Sequence, residues 1–489
     1  VEDIINNIAH SFSWMLPEWL LLLTALLLMT LDLWSVRSKH LVSLLMICAI
    51  VSYTGVIAYS LYVHQPFTEV ALWNNHLVLS KSSILFKMIG LVGTVFFIAN
   101  AYFSYSLNEL KREPMYFAKV FIMLFALNIV VMSKHVLPFV ISLELLSLVS
   151  YLLCSVSKSE TNVESSLKYF VFGAFSSALM WYGISLLYGL SGSMLLHDWQ
   201  AYFMDHANDL LVLPAILLFF GGVLFKLSVF PFHFWVPDVY EGLPAPVAGF
   251  ISSVPKVAVM WFFWQVYPFH SPTTFGWGVC AVLFALTLAS GNFPALLQKD
   301  AQRMMGYSSV AHSGFMVLAF LLPGKDPSIF IFYLMVYVLM SNALFYTIDT
   351  LHYTTGSTKI EDFKGVGIRF PMLGVLIFIL MVSLTGLPPT AGFYAKFFVF
   401  TGLWEAYQQT EEIGYVVLVI WGIVNTLISL YYYLRIPFYS FFKRKENDIK
   451  LTFPKNISLI LLTLYMIPLL VFFLKPEWVL QAIKYFIQQ

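Results

Sequence analysis

Four lysines stand in stretches otherwise apolar enough to cross a lipid bilayer: Lys168, Lys226, Lys256 and Lys396. A lysine at the bilayer centre costs roughly 2.5–3.5 kcal/mol on insertion scales, so its retention points to a use. Burial disfavours the ammonium and a nearby carboxylate favours it, so a lysine held between the two can load and release a proton. Glu144, in the apolar run LPFVISLELLSLVSYLLC, is the carboxylate that could face Lys226 and make their proton affinities interdependent. The same two residues could instead form a static pair locking two helices. His233 and His312 could extend such a relay, since histidine titrates nearest neutrality, although each would serve equally as a packing residue. Lys168 is four residues from Glu164, and a surface pair would also account for it. Asp238 and Glu241 could form a proton mouth or be solvated loop acids. Lys87 asks for no more than an interfacial position, and Asp349 for no more than exposure at the end of its run.

The stretches that must position these groups are unusual. Residues 219–259 carry Lys226 and Lys256, with Pro231, Pro237, Pro244, Pro246 and Pro255 between or beside them. Proline removes a helix donor and clashes with the preceding turn, so a spanning helix must break there. Broken backbone is tolerated at membrane depth only against protein or a wet cavity. A second break is expected at 383–400, SLTGLPPTAGFYAKFFVF, where Gly386, Pro388, Pro389 and Gly392 precede Lys396. Paired interruptions in corresponding positions are the mark of an internally repeated transporter.

Of 489 residues, 60% are hydrophobic and 11% charged, which describes a polytopic membrane protein and not a soluble one. Apolar runs of spanning length predict fourteen helices, at about 16–34, 41–62, 83–105, 115–133, 135–155, 166–190, 210–230, 248–267, 275–297, 303–322, 328–351, 371–402, 414–435 and 457–474. The expected fold is all-α, with two inverted five-helix repeats and discontinuous helices 7 and 12. Its expected units are 1–114, an N-terminal three-helix segment; 115–267 and 268–435, two half-channels; and 436–489, a C-terminal helix. Loops after odd-numbered spans hold Arg37, Lys39, Lys111, Arg112, Lys158, Lys299, Arg303, Lys359, Lys364, Arg369, Lys443, Arg444, Lys445, Lys450 and Lys455. The other side holds Lys81, Lys134, Lys325, Lys475 and Lys484. That bias puts the odd-span loops in the cytoplasm and both termini outside.

The net charge of +1 argues against a nucleic-acid partner. Cys48, Cys154 and Cys280 lie in separate apolar runs and read as packing residues, not as metal or disulfide positions. No P-loop, dinucleotide fingerprint, HExxH or nucleophile elbow occurs, so no cofactor is expected in this chain.

The segments LPFVISLELLSLVSY, ESSLKYFVFGAFSSALMWYGISLLYG, GGVLFKLSVFPFHFWVPDVYEGLPAPVAGFISSVPK, KDAQRMMGYSSVAHSGFMVLAF and SLTGLPPTAGFYAKFFVF resemble the antiporter-like membrane subunits of respiratory complex I. The resemblance is greatest to the N type of bacterial NADH–quinone oxidoreductase, the counterpart of mitochondrial subunit 2. It covers about 115–435 closely, and PFHFWVPDVYEGLPAPV is its most specific signature. A lysine at 396, where the M type has glutamate, and the absence of the L type's long lateral helix favour the N type. The resemblance implies Glu144 and Lys226 as a coupled pair, Lys256 as the central relay, Lys396 as the distal lysine and Lys168 as a further lysine on span six. It implies proton pumping driven from partner subunits, where NADH, FMN, iron–sulfur clusters and quinone are expected. The expected partners are other membrane-arm subunits, the peripheral arm and the bilayer, and the expected location is a bacterial inner membrane. Subunits of multi-chain sodium/proton antiporters and of membrane-bound hydrogenases are the alternatives.

Overall fold

The computed structural model describes residues 2–35, 38–63, 69–107, 114–155, 159–206, 209, 212–267, 275–323, 326–443 and 451–487. Of the basic residues that set the expected orientation, Arg37, Lys111, Arg112, Lys158, Lys325, Arg444, Lys445 and Lys450 lie outside the described residues.

A short helix, α1 (Glu2–Trp14), leads into the spans α2 (Leu16–Leu33) and α3 (Lys39–Val63). An antiparallel hairpin, β1 (Val70–Leu72) with β2 (Leu77–Leu79), precedes α4 (Lys81–Phe103), which starts on a capping box formed by Ser80 and Ser83. The next group comprises α5 (Pro114–Met132), α6 (Val136–Cys154), α7 (Glu160–Ser191), the short α8 (Leu196–Asp205), α9 (Val212–Leu227), α10 (Trp235–Gly242) and α11 (Ala245–Val266). A second group follows: α12 (Phe275–Leu297), α13 (Ala301–Leu318), α14 (Ser328–Thr355), α15 (Val366–Arg369), α16 (Pro371–Thr385), α17 (Ala391–Thr410) and α18 (Ile413–Phe442). The chain closes with α19 (Asn456–Leu474) and α20 (Pro476–Ile487).

Twelve of the described helices are long and apolar enough to cross a membrane. The interrupted pairs α9/α10 and α16/α17 complete the fourteen spans expected. Both breaks fall beside expected Gly and Pro residues, at Pro231 and at Gly386, Pro388 and Pro389, whereas Pro255 lies inside α11 and does not end it. The first runs from Ser228, in the left-handed region at φ 62°, to the start of α10. The second begins at Gly386, whose φ of 85° ends α16 in the manner of a glycine C-cap.

The two groups pack alike. α5 lies on α6 as α12 lies on α13; α7 meets α9 and α10 as α14 meets α16 and α17; α11 returns to α5 as α18 returns to α12. Helices α11, α13 and α14 are buried nearly all round, while α2, α3, α7 and α18 keep broad apolar faces outward. A helix hydrophobic all round belongs in a core or in lipid, and this chain supplies both. Close approach is set by small residues: a Cβ on Gly183 would lie 2.3 Å from the Phe219 backbone nitrogen, so α7 and α9 meet backbone to backbone.

Two expectations are corrected. Lys87 is not interfacial but buried, and its Nζ lies 2.7 Å from Glu18 Oε1. At 2% exposure the ammonium is held by that carboxylate. Asp349 is not exposed either. It accepts from the backbone N–H groups of Tyr105 and Ser106 at 3.0 and 3.3 Å and from the Ser106 hydroxyl at 2.5 Å, tying the end of α4 to α14.

Candidate functional site

Lys256 is the centre of the buried polar groups. It follows Pro255 inside α11, is 1% exposed, and points at α13 and α14. Its Nζ donates to Ser309 Oγ at 2.8 Å, Ser313 Oγ at 2.7 Å, the Ser309 carbonyl at 3.1 Å and Tyr337 Oη at 3.3 Å. Tyr337 in turn donates to the Ser252 carbonyl at 3.2 Å. No carboxylate lies within 4 Å of Lys256 among the described residues.

The serines come from the sequence SSVAHSG on α13. Ser308, Ser309, His312 and Ser313 recur at i, i+1, i+4 and i+5 and so share one helix face. His312 uses both ring nitrogens, Nδ1 with Tyr333 Oη at 2.9 Å and Nε2 with Tyr433 Oη at 3.1 Å. Tyr433 also bonds Ser308. One turn on, Phe315 presents its ring 4.8 Å from Lys396 Nζ. Helix α13 therefore carries contacts of both Lys256 and Lys396.

Lys396, on α17, is buried and donates to the Thr385 carbonyl at 2.8 Å. Thr385 is the last residue of α16, and its carbonyl is among those a helix end leaves without an intrahelical partner. The negative end of the helix dipole favours a cation there. Lys226 lies in the last turn of α9, buried, with Nζ 3.1 Å from Tyr151 Oη and 5.2 Å from the centre of that ring. Each break thus sets a lysine at the C-terminal end of its first half-helix.

Glu144 stands two turns before Tyr151 on α6. No ion pair joins it to Lys226, and Glu144 Oε1 is buried without a hydrogen-bond partner. His233, in the break after α9, is buried against Phe230 and Phe234, and its Nδ1 also lacks a partner. Lys168 stands apart from the buried row. It is 38% exposed, paired with Glu164 at 2.7 Å and Asp238 at 3.1 Å. Arg303 joins that cluster through Asp238 at 2.9 Å and Glu241 at 2.6 Å, closing the acid-rich end of α10.

Sequence reasoning misses the oxygens: Tyr151, Ser309, Ser313, Tyr333, Tyr337 and Tyr433. The serine face of α13 is a readable signal, because four small polar or ionisable residues on one side of a spanning helix must face protein. The tyrosines are not, among 27 in the chain.

Fourteen spans around a buried row of lysines, two of them at helix breaks, define a membrane protein of the antiporter-like, ion-translocating class. The family described as NADH:quinone oxidoreductase/Mrp antiporter, TM, matches residues 133–428, and the chain belongs to it. It is 31% identical over 488 residues to the NADH-quinone oxidoreductase subunit N of Ruthia magnifica subsp. Calyptogena magnifica, covering 96% of this chain and 97% of that protein. It is 36% identical over 354 residues to the subunit of the same name in Thiobacillus denitrificans, covering 70% and 72% of the two chains. Among solved structures, a chain of respiratory complex I from Thermus thermophilus with bound aureothin matches with a TM-score of 0.78 at 26% identity, covering 96% of this chain and 99% of that one. The fold also matches a chain of the Mrp complex from Dietzia, with a TM-score of 0.80 at 18% identity and 96% of each chain covered.

Proposed function

We propose that this chain is the N-type, proton-translocating subunit in the membrane arm of an NADH–quinone oxidoreductase. Partner subunits carry NADH oxidation, FMN, the iron–sulfur clusters and quinone reduction. The observation that carries the reading is the buried lysine row held by neutral oxygens. A hydroxyl can accept from an ammonium or donate to an amine, so Lys256 keeps its partners in either protonation state. A lysine locked on a carboxylate has no such freedom. In this reading Glu144 and Lys226 form the coupled entry, Lys256 the centre and Lys396 the exit, with His312 and its tyrosines between the last two. Lys168, Asp238, Glu241 and Arg303 form the mouth on the side of the basic loops, and His233 lines the first break.

The basic loops support a cytoplasmic position for that mouth and an outer position for both termini, in a bacterial inner membrane. The two half-channels would be 115–267 and 268–435, flanked by the segments 1–114 and 436–489. A sodium/proton antiporter subunit would share the fold, but the relatives above 30% identity are named as oxidoreductase subunits, which favours the first reading. In sealed vesicles carrying the whole complex, Lys256→Met should lower proton translocation on the order of a hundredfold, the scale of a lost acid–base group. Unchanged translocation in a correctly assembled Lys256→Met complex would sink the relay.

A further inference from the structure

Glu18 and Lys87 form an ion pair that no step of the relay uses. Their side chains are 0% and 2% exposed, and among the described residues no other lysine–carboxylate pair is fully buried. The pair lies in the N-terminal three-helix segment, Glu18 in the first turn of α2 and Lys87 on α4. Lys87 Nζ also approaches Met132 Sδ at 3.1 Å. Asn128 on α5 donates to Glu18 Oε1 at 3.4 Å and to Tyr53 Oη, on α3, at 2.8 Å. Two acceptors beside the pair, Glu18 Oε2 and Asn128 Oδ1, are buried with no hydrogen-bond partner. Native proteins satisfy such atoms, and where protein does not, bound water does.

A route for that water is present. A cavity of about 340 Å³ lies between α1, α2, α3 and α4, and Lys87 forms its inner wall. Ser13, Tyr59 and Ser60 add polar groups to its lining, and the rest is mostly apolar, including Val56, Ile57 and Ile84. Leu16 starts α2, Leu79 ends β2 just before α4, and Ser60 is near the C-terminal end of α3. All three ends lie at the face opposite the basic loops. The cavity has room for several waters, each taking about 30 Å³ in the liquid.

We propose that Glu18 and Lys87 form a second proton-exchange site, open through this cavity to the aqueous phase on the face opposite the basic loops. The step is a proton transfer: hydronium in the cavity gives one proton to the free Glu18 oxygen and becomes water, turning the carboxylate into the carboxylic acid while Lys87 stays an ammonium, and release reverses it. Lys87 holds the carboxylate in the unloaded state. The inference rests on the proton-translocating reading above, and its test separates the two.

Ser60→Cys in the whole complex places a thiol in the cavity without touching the pair. A membrane-impermeant methanethiosulfonate reagent added at that face should modify it, and the ratio of protons moved to quinone reduced should at least halve on modification. The double variant Glu18→Gln/Lys87→Met, which leaves no unpaired buried charge, should lower the same ratio. Failure of the reagent to reach the introduced thiol from that face would overturn the site, as would modification with an unchanged ratio. If Lys256→Met abolishes translocation while these changes do not lower the ratio, the second site alone is wrong. If Lys256→Met also has no effect, the relay fails and this site fails with it.

Discussion

The chain treats its buried charges in two ways, and the difference is visible at single residues. Lys256 is surrounded by two serine hydroxyls, a tyrosine and a carbonyl, whereas Asp349 accepts three hydrogen bonds from the segment that ends α4. The first arrangement tolerates loss of a proton; the second requires the carboxylate and is a structural tie. Asp349→Asn would turn one acceptor oxygen into an N–H₂ group facing backbone N–H donors. That should cost about 1–3 kcal/mol, the penalty for an unsatisfied buried donor, and lower the thermal midpoint in detergent. Proton translocation per quinone should stay at the unmodified value, and a fall in that ratio would place Asp349 in the relay instead. Of the candidate residues, the lysines were legible because charge in an apolar run is costly and conspicuous. Glu18 was not, since an acid in the first turn of a span reads as an ordinary helix start. Only the fold brings Lys87, 69 residues away, against it.

At the level of elements, the two breaks differ in sequence and agree in space. Lys226 precedes its prolines and Lys396 follows its own, yet each lysine lies at the C-terminal end of a first half-helix. That agreement was hidden in the sequence because Lys396 reaches back 11 residues across the turn. Gly386 makes the reach possible. Its φ is 85°, and a Cβ there would lie 2.8 Å from Lys396 Cδ. Gly386→Ala should therefore cost about 1–2 kcal/mol for the left-handed backbone and displace the lysine from Thr385. Reduced stability together with reduced translocation is expected; stability loss alone would show that Lys396 does not depend on that contact. The start of α6 carries a separate, pH-dependent element. His135 Nδ1 accepts from Leu137 N at 3.1 Å, and its ring meets His76 edge-on at 4.6 Å. Burial first, and His76 second, hold the His135 pKa below its usual 6.5. A lowered folded pKa contributes stability above the unfolded value, which is lost as pH falls through the folded one. Acidification below 6.5 should weaken this cap, and His135→Asn, whose side-chain oxygen cannot titrate, should remove that part of the pH dependence of the thermal midpoint.

At the scale of the whole molecule, the apolar runs defined the fourteen spans and their order, because lipid leaves the backbone few alternatives to helix. The short helices α1, α8 and α20 and the hairpin were not legible, since none is long enough to register as a span. The basic residues set the expectation for which face of the molecule meets the cytoplasm, and that face decides the direction in which any proton moves. If the odd-span loops are cytoplasmic, Lys359, exposed beyond the end of α14, is inside, and Gln409, exposed near the end of α17, is outside. Cys48 is exposed and Cys280 partly so, so labelling of each introduced cysteine is read against the complex without it. Gln409→Cys should label in intact cells, and Lys359→Cys only after the membrane is opened. The reverse pattern would invert the molecule. It would place the acid-rich mouth at Asp238 and Glu241 on the outside and turn the cavity beside Lys87 towards the cytoplasm, so that the same groups would load protons where this reading has them released.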